Sequence, residues 1–269
     1  MTHPWLSIIT VVKDDQAGFE RTVESLSSQD LSGVELIIVD SSMDHTAIPG
    51  VLNNDPTVAS TYQWEPPAGI YSAMNSAVSL ANGRYSYFLN AGDCLHDPDA
   101  VAQIGDLVES RQPEWLYAQV CFIDEAGNET TPPPFDYALE KAACFARGRF
   151  PPHQGVIAQT ALIRDLGGFD TSYRVAADYA LILRLAQLAD PAESPVVLAD
   201  FQKGGLSTTA WRQAHAEFHR ARREILAPRG LTAVQEYAHS LRGATEMFLF
   251  RSVIEPYRNR HRREQEPPS

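Results

Sequence analysis

Three strand-like runs, each stopping abruptly on a polar side chain, restrict the fold of this chain more than any other feature. Leu6-Ser7-Ile8-Ile9-Thr10-Val11-Val12 is β-branched and apolar almost throughout. Val34-Glu35-Leu36-Ile37-Ile38-Val39 has the same character and runs straight into Asp40, and Tyr85-Ser86-Tyr87-Phe88-Leu89 ends at Asn90. Runs this apolar need cover on both faces, as in a parallel sheet sandwiched between helices. Between them Phe19, Val23 and Leu26 recur at helical spacing over Phe19 to Ser28. A further strand is expected around Thr57 to Trp64 and a helix over about Ile70 to Leu80. Strand and helix thus alternate through the first 110 residues, the pattern of a doubly wound α/β sheet.

The second half reads differently. Trp115 to Ile123, followed by Glu125-Ala126-Gly127-Asn128, has the look of a hairpin, and Thr131-Pro132-Pro133-Pro134 that of a rigid loop. Strands are expected over Val156 to Ile163 and Pro195 to Phe201, with a helix over Asp178 to Leu188. From Thr208 to about Arg260 the pattern is helical, broken near Pro228-Arg229-Gly230, and Glu264 to Ser269 reads as a disordered tail.

A formal charge of -12 argues against a nucleic-acid partner, since neutralising phosphates needs a basic face. It says nothing against a small anionic ligand held through a metal ion. Cys94, Cys121 and Cys144 match no zinc spacing, and an odd count speaks against a disulfide scaffold, so a reducing, cytoplasmic setting is expected. Met1 to Trp5 lacks the basic start of a signal peptide, and no run is long enough to cross a bilayer.

In parallel α/β sheets ligands bind at the carboxyl ends of the strands, so the polar residues there are the first candidates for chemistry. Asp40 either accepts hydrogen bonds from a nucleobase or ribose, or caps the following turn. Asn90-Ala91-Gly92-Asp93 either places a carboxylate where a divalent cation bridges two phosphates, or opens the next helix. Gly69-Ile70-Tyr71-Ser72-Ala73-Met74-Asn75 starts a helix, whose N-terminus favours anionic groups but serves equally as a plain turn.

Taken in order, these stretches resemble glycosyltransferase family 2, over roughly residues 5 to 210. The resemblance looks closest to bacterial members that decorate cell-surface polysaccharides or glycolipids. It implies a GT-A fold: a Rossmann-like, mostly parallel central sheet flanked by helices, with C-terminal helices. It divides the chain into a nucleotide-sugar-binding half, 1–110, an acceptor-binding half, 111–210, and a helical extension with a disordered tail, 211–269.

The resemblance also implies roles. Asp40 stands where the family contacts the base, with Asp44 at a second acidic position and Ser42 between them. The nucleoside diphosphate lies across the ends of strands 1, 2 and 4, which brings in Val12, Asp14, Gly69, Tyr71, Asn75, Asn90, Ala91 and Gly92. The family's Asp-x-Asp metal motif reads Asn-Ala-Gly-Asp here, so Asp93 alone remains as a carboxylate for Mn2+ or Mg2+. His153-Gln154-Gly155 matches a His-Gln pair near the phosphates, metal or acceptor. Gly204-Gly205-Leu206-Ser207 matches a loop that closes on the donor, with Gly205 as its contact. Asp178 matches the catalytic base, which takes the acceptor hydroxyl's proton in an inverting transfer, and Asp178 is also suited to cap its helix.

The expected partners are a nucleoside-diphosphate sugar, with UDP the expected carrier, and a hydroxyl-bearing glycan, glycolipid or small natural product. Arg212, Arg220, Arg222, Arg223 and the later arginines, with Met247-Phe248-Leu249-Phe250, suit a peripheral contact at the inner face of a membrane, a homodimer contact or a solvated face. Two other readings stay open. A nucleotidyltransferase is disfavoured because Val12-Lys13-Asp14-Asp15 lacks a glycine-rich basic loop. A catalytically silent sugar-nucleotide-binding scaffold is suggested by Gly92 in the metal motif.

Overall fold

The computed structural model describes residues 3–54, 60–124, 126–134, 136–138, 151–202 and 210–249. Nine strands of these residues form one sheet in the order β3-β2-β1-β4-β8-β6-β9-β5, with β7 paired to β6. The strands are β1 (Leu6–Val12), β2 (Val34–Asp40), β3 (Ser60–Trp64), β4 (Tyr85–Phe88), β5 (Cys94–Leu95), β6 (Trp115–Ile123), β7 (Glu129–Thr130), β8 (Val156–Gln159) and β9 (Ala192–Gln202). The helices are α1 (Gln16–Ser27), α2 (Ala47–Asn54), α3 (Ile70–Leu80), α4 (Ala100–Arg111), α5 (Thr160–Asp165), α6 (Ala177–Leu188), α7 (Trp211–Leu226) and α8 (Leu231–Leu249).

The first four strands are parallel, as the alternation implies. Their apolar runs divide between two cores. Ile9, Val11, Ile37 and Val39 face the layer that holds α3 and α6. Leu6, Ile8, Val12, Leu36 and Ile38 face the layer that holds α1 and α4. This two-sided burial is why the strands show no polar alternation. The chain leaves β1 toward β2 and β3, then returns to place β4 on the other side of β1. The crevice at the ends of β1 and β4 is therefore the switch point where such sheets bind ligands.

Beyond β4 the sheet turns mixed. β8 runs antiparallel to β4 and β6, while β6 and β9 are parallel. The strand expected over Val156 to Ile163 stops at Gln159. Thr160 turns the chain by donating its N–H to Arg84 O (2.9 Å) and its hydroxyl to Gly83 O (2.7 Å), and α5 begins there. β9 starts at Ala192, three residues before the expected strand, and its pairing with β6 is irregular around Pro195, which has no N–H to give the ladder. The C-terminal break is found where expected: Ala227, at φ 43, separates α7 from α8.

Along α8, Leu231, Val234, Tyr237, Leu241 and Phe248 form an exposed apolar stripe at helical spacing. Among the described residues no helix is long and apolar enough to cross a membrane.

Candidate active site

At the rim of the crevice the loops after β1 and β2 are laced together. Asp14, at φ 54, donates its N–H to Ser42 Oγ (2.8 Å), and its carboxylate accepts the Met43 N–H (2.8 Å). Val12 O accepts the Ser41 N–H (2.9 Å). Asp40 is fully buried. One oxygen accepts the Ser42 N–H (2.8 Å) and the other the Tyr62 hydroxyl (2.9 Å), which fixes the loop that follows β2. Asp44 turns to its own loop, accepting from the Thr46 hydroxyl and N–H, which holds its pKa below the usual value.

The turn after β4 carries Asn90, Ala91, Gly92 and Asp93. Gly92 has φ 96, a conformation that L side chains rarely adopt. The turn geometry therefore favours glycine at this position. Thr22 stitches the turn to α1, accepting the Gly92 N–H (3.1 Å) and donating to Asp93 O (2.8 Å). Asp93 is only 6% exposed. Burial raises its pKa to about 6, against the opposing charge of His153 and the Gln154 amide.

His153 joins the two halves of the site. It sits in a short 3-10 turn, His153–Gly155, that lies tight against β6. A Cβ at Gly155 would come within 2.4 Å of Ala118 O, so a larger residue would push the turn and its histidine away. His153 Nδ1 lies 3.2 Å from an oxygen of Asp178, and its Nε2 lies 3.2 Å from the Asn90 amide nitrogen. Burial pushes the imidazole pKa down, but the Asp178 hydrogen bond and the charges of Asp178 and Asp93 outweigh it and raise it overall. The other Asp178 oxygen accepts from the Tyr71 hydroxyl (3.2 Å) and the Tyr179 N–H (2.8 Å). The structure thus brings Asn90, Asp93, His153, Asp178 and Tyr71 into one connected cluster.

Asp178 does not cap its helix. The cap position is Ala176, and Asp178 lies in the first turn. The capping carboxylate comes from α7 instead. Glu217 accepts the N–H groups of Arg174 (3.1 Å), Val175 (2.8 Å) and Ala176 (3.1 Å), the residues leading into α6. Behind it, the buried Arg222 binds Glu236 (2.9 Å) and Ser240 (2.6 Å) on α8 and the Tyr179 hydroxyl (3.2 Å) on α6. Residues past 210 therefore help to hold the site and are more than an appendage.

Asn75 and Tyr71 also brace the backbone around the cluster. Both ends of the Asn75 amide bind the Phe169 backbone, each at 2.8 Å. Tyr71 also donates to Val175 O (2.7 Å) and stacks on Phe169, tying α3 to α6. Gly69 precedes α3 with open space around it. Gly205 and its loop lie outside the described residues.

The sequence reading missed a pair of rings at the end of β3. Trp64 is 37% exposed, stacks on His45 (centroids 4.2 Å apart) and donates its indole N–H to Ser42 O (3.0 Å). Its signal was an aromatic at a strand's carboxyl end, in register with Asp40.

Residues 7–163 match the family described as Glycosyl transferase family 2. An uncharacterized glycosyltransferase of Mycobacterium tuberculosis is 30% identical over 210 residues, covering 76% of this chain and 78% of that protein. A PGL/p-HBAD biosynthesis glycosyltransferase of Mycobacterium bovis is 27% identical over 220 residues, covering 78% and 81%. The fold is similar to that of the mannosyltransferase PcManGT from Pyrobaculum calidifontis in complex with GDP-Man and Mn2+ (TM-score 0.67, 15% identity, 94% of this chain and 76% of that one). It is also similar to S. aureus TarS 1-349 in complex with UDP-GlcNAc (TM-score 0.65, 16% identity), where 82% of this chain spans 65% of that one.

Proposed function

Because the chain belongs to glycosyltransferase family 2 and has the GT-A fold, we propose that it moves a sugar from a nucleoside-diphosphate sugar to an acceptor hydroxyl with inversion at the anomeric carbon. The observation that carries this reading is the contact chain Asn90–His153–Asp178, which joins the end of β4 to the first turn of α6. Residues 1–110 hold the donor, and residues 111–210 bear on the acceptor.

In this reading Asp178 is the base. Its hydrogen bonds to Tyr71, Tyr179 and His153 hold the carboxylate in place at the first turn of α6. It takes the proton of the attacking hydroxyl as that oxygen bonds to the anomeric carbon. The bond from that carbon to the diphosphate breaks on the opposite face. His153, held between Asp178 and Asn90, sets the orientation of the carboxylate.

The donors at the end of β4 fit a divalent cation such as Mn2+ or Mg2+. Asp93 offers a carboxylate, and Asn90 Oδ1 is a buried oxygen with no hydrogen-bond partner among the described residues, both hard oxygen ligands. The ion would neutralise charge on the departing diphosphate.

Asp40 anchors the base-binding end, and the exposed face of Trp64 offers the base a stacking surface. Trp64→Ala is expected to weaken nucleotide binding by roughly 5- to 150-fold, since base–aromatic stacking contributes about 1–3 kcal/mol. Isothermal titration measures it, and unchanged affinity would remove Trp64 from the site.

The reading as a whole is tested by thermal unfolding against UDP, GDP and dTDP, each with and without Mn2+. A ligand that binds the native state raises the melting temperature by mass action. A rise with one nucleotide, UDP being expected, and a larger rise with metal, supports the donor site. No shift with any of them overturns it. Turnover of the matching sugar nucleotide then separates an enzyme from a silent binding protein. The relative named for PGL/p-HBAD biosynthesis favours a role in glycan or glycolipid assembly. The apolar stripe on α8 is the surface on which a peripheral membrane or homodimer contact would form.

A further inference from the structure

At the edge of the sheet, just past the turn that holds Asp93, a second group of ligating side chains is gathered by β5, β6 and β9. Cys94 pairs with Asp200 across β5 and β9, and Cys121 pairs with Asp200 across β6 and β9. The three residues stand in one cross-strand row, where side chains share a face. His96 continues the ladder, donating its N–H to Leu198 O (3.1 Å), and being two residues past Cys94 it returns to that face. Its Nδ1 lies 2.6 Å from an oxygen of Asp200. The ligand atoms of His96, Cys121 and Asp200 all lie within 4.8 Å of one another.

We propose that His96, Cys121 and Asp200 form a site for a thiophilic divalent ion, Zn2+ above all, separate from any ion at Asp93. Ligand atoms around a tetrahedral zinc stand about 3.2–3.8 Å apart, a spacing these atoms reach with small side-chain shifts. The chemistry of the set is selective. A thiolate and an imidazole favour zinc or cobalt, whereas the oxygen donors of Asp93 and Asn90 favour magnesium or manganese. Burial is graded in the way such a site needs. Cys121 is 1% exposed and closes the back, while the side chains of His96 and Asp200 are 27% and 23% exposed and leave a fourth position for water. On binding, the Cys121 sulfur–hydrogen bond breaks, its proton goes to solvent, and the thiolate electron pair binds the metal. The ion then clips β5 to β9 and β6. The competing account is a His–Asp pair that merely neighbours a buried thiol.

Titration of Co2+ into the metal-stripped full chain distinguishes the two. The proposal expects one equivalent bound with a thiolate-to-cobalt charge-transfer band. Zn2+ abolishes the band by displacement, and excess Mg2+ leaves it in place. Cys121→Ser removes it, and Cys94→Ser and Cys144→Ser retain it. Zn2+ at a hundredfold excess over its dissociation constant also raises the melting temperature by roughly 5 °C or more. If Cys121→Ser does not fold, the partly exposed Asp200→Asn and His96→Gln carry the test, and each must weaken Co2+ binding at least tenfold. Absence of the band, or a band that survives Cys121→Ser, overturns the site, as does Co2+ binding indifferent to either Asp200→Asn or His96→Gln.

Discussion

Asp178→Asn lowers the rate of sugar transfer by about a thousandfold, within the range of about 10²–10⁴ typical of a general base, and leaves nucleotide affinity nearly unchanged. The amide keeps an oxygen for the Tyr179 N–H and the Tyr71 hydroxyl, so the first turn of α6 stays in place. What disappears is the capacity to take a proton and the charge facing His153. Donor consumption with water or an added hydroxyl compound as acceptor, measured beside isothermal titration of the nucleotide, separates the two effects. A variant that binds nucleotide but turns over at the wild-type rate rules out Asp178 as the base. A variant that loses nucleotide binding and melts early points to a structural role through Tyr71.

Asp93→Asn has an effect of opposite sign on stability and on metal-assisted binding. Burial raises the Asp93 pKa to about 6. The folded state therefore favours the protonated acid, and the stability this gives is complete below the unfolded value near 4 and is lost as pH rises through about 6. The gap between those two values corresponds to about 3 kcal/mol. An amide stays neutral at every pH. Without metal, the variant is expected to melt roughly 5–10 °C above the wild type at pH 8 and alongside it below pH 4. With Mn2+ and nucleotide the order reverses, because only the wild type has a carboxylate to offer the ion. Melting curves across that pH range, with and without Mn2+, check both statements. A variant no more stable at pH 8 would show that Asp93 is not strained by its burial.

Much of this was legible in the sequence, because it depends on local pattern. The apolar runs of β1, β2 and β4 are parallel strands, and the polar residues that end β2 and β4 lie beside the switch point of the sheet. Asn90, Asp93, His153 and Asp178, chosen from separate stretches, do meet. Side-chain direction was harder to read. Asn75 and Tyr71 sit in a suggestive helix, yet their polar atoms serve α5–α6 loop backbone and the start of α6, partners about a hundred residues away in sequence. The bend at Thr160 carries no glycine or proline and depends on carbonyls of the β4 approach that only the folded sheet presents. Glu217 gives no sequence signal at all, since nothing near it reveals that its carboxylate accepts the N–H groups leading into another helix.

That last contact also bears on when the enzyme becomes competent during its own synthesis. Forty-two residues separate Val175 from Glu217, so the ribosome makes the anchor after the helix it anchors, at about 5–20 residues per second a delay of roughly 2–8 seconds. An unfinished chain has every described strand of the sheet but an unpinned start of α6, and with Asp178 as the proposed base it is expected to hydrolyse little donor before α7 arrives.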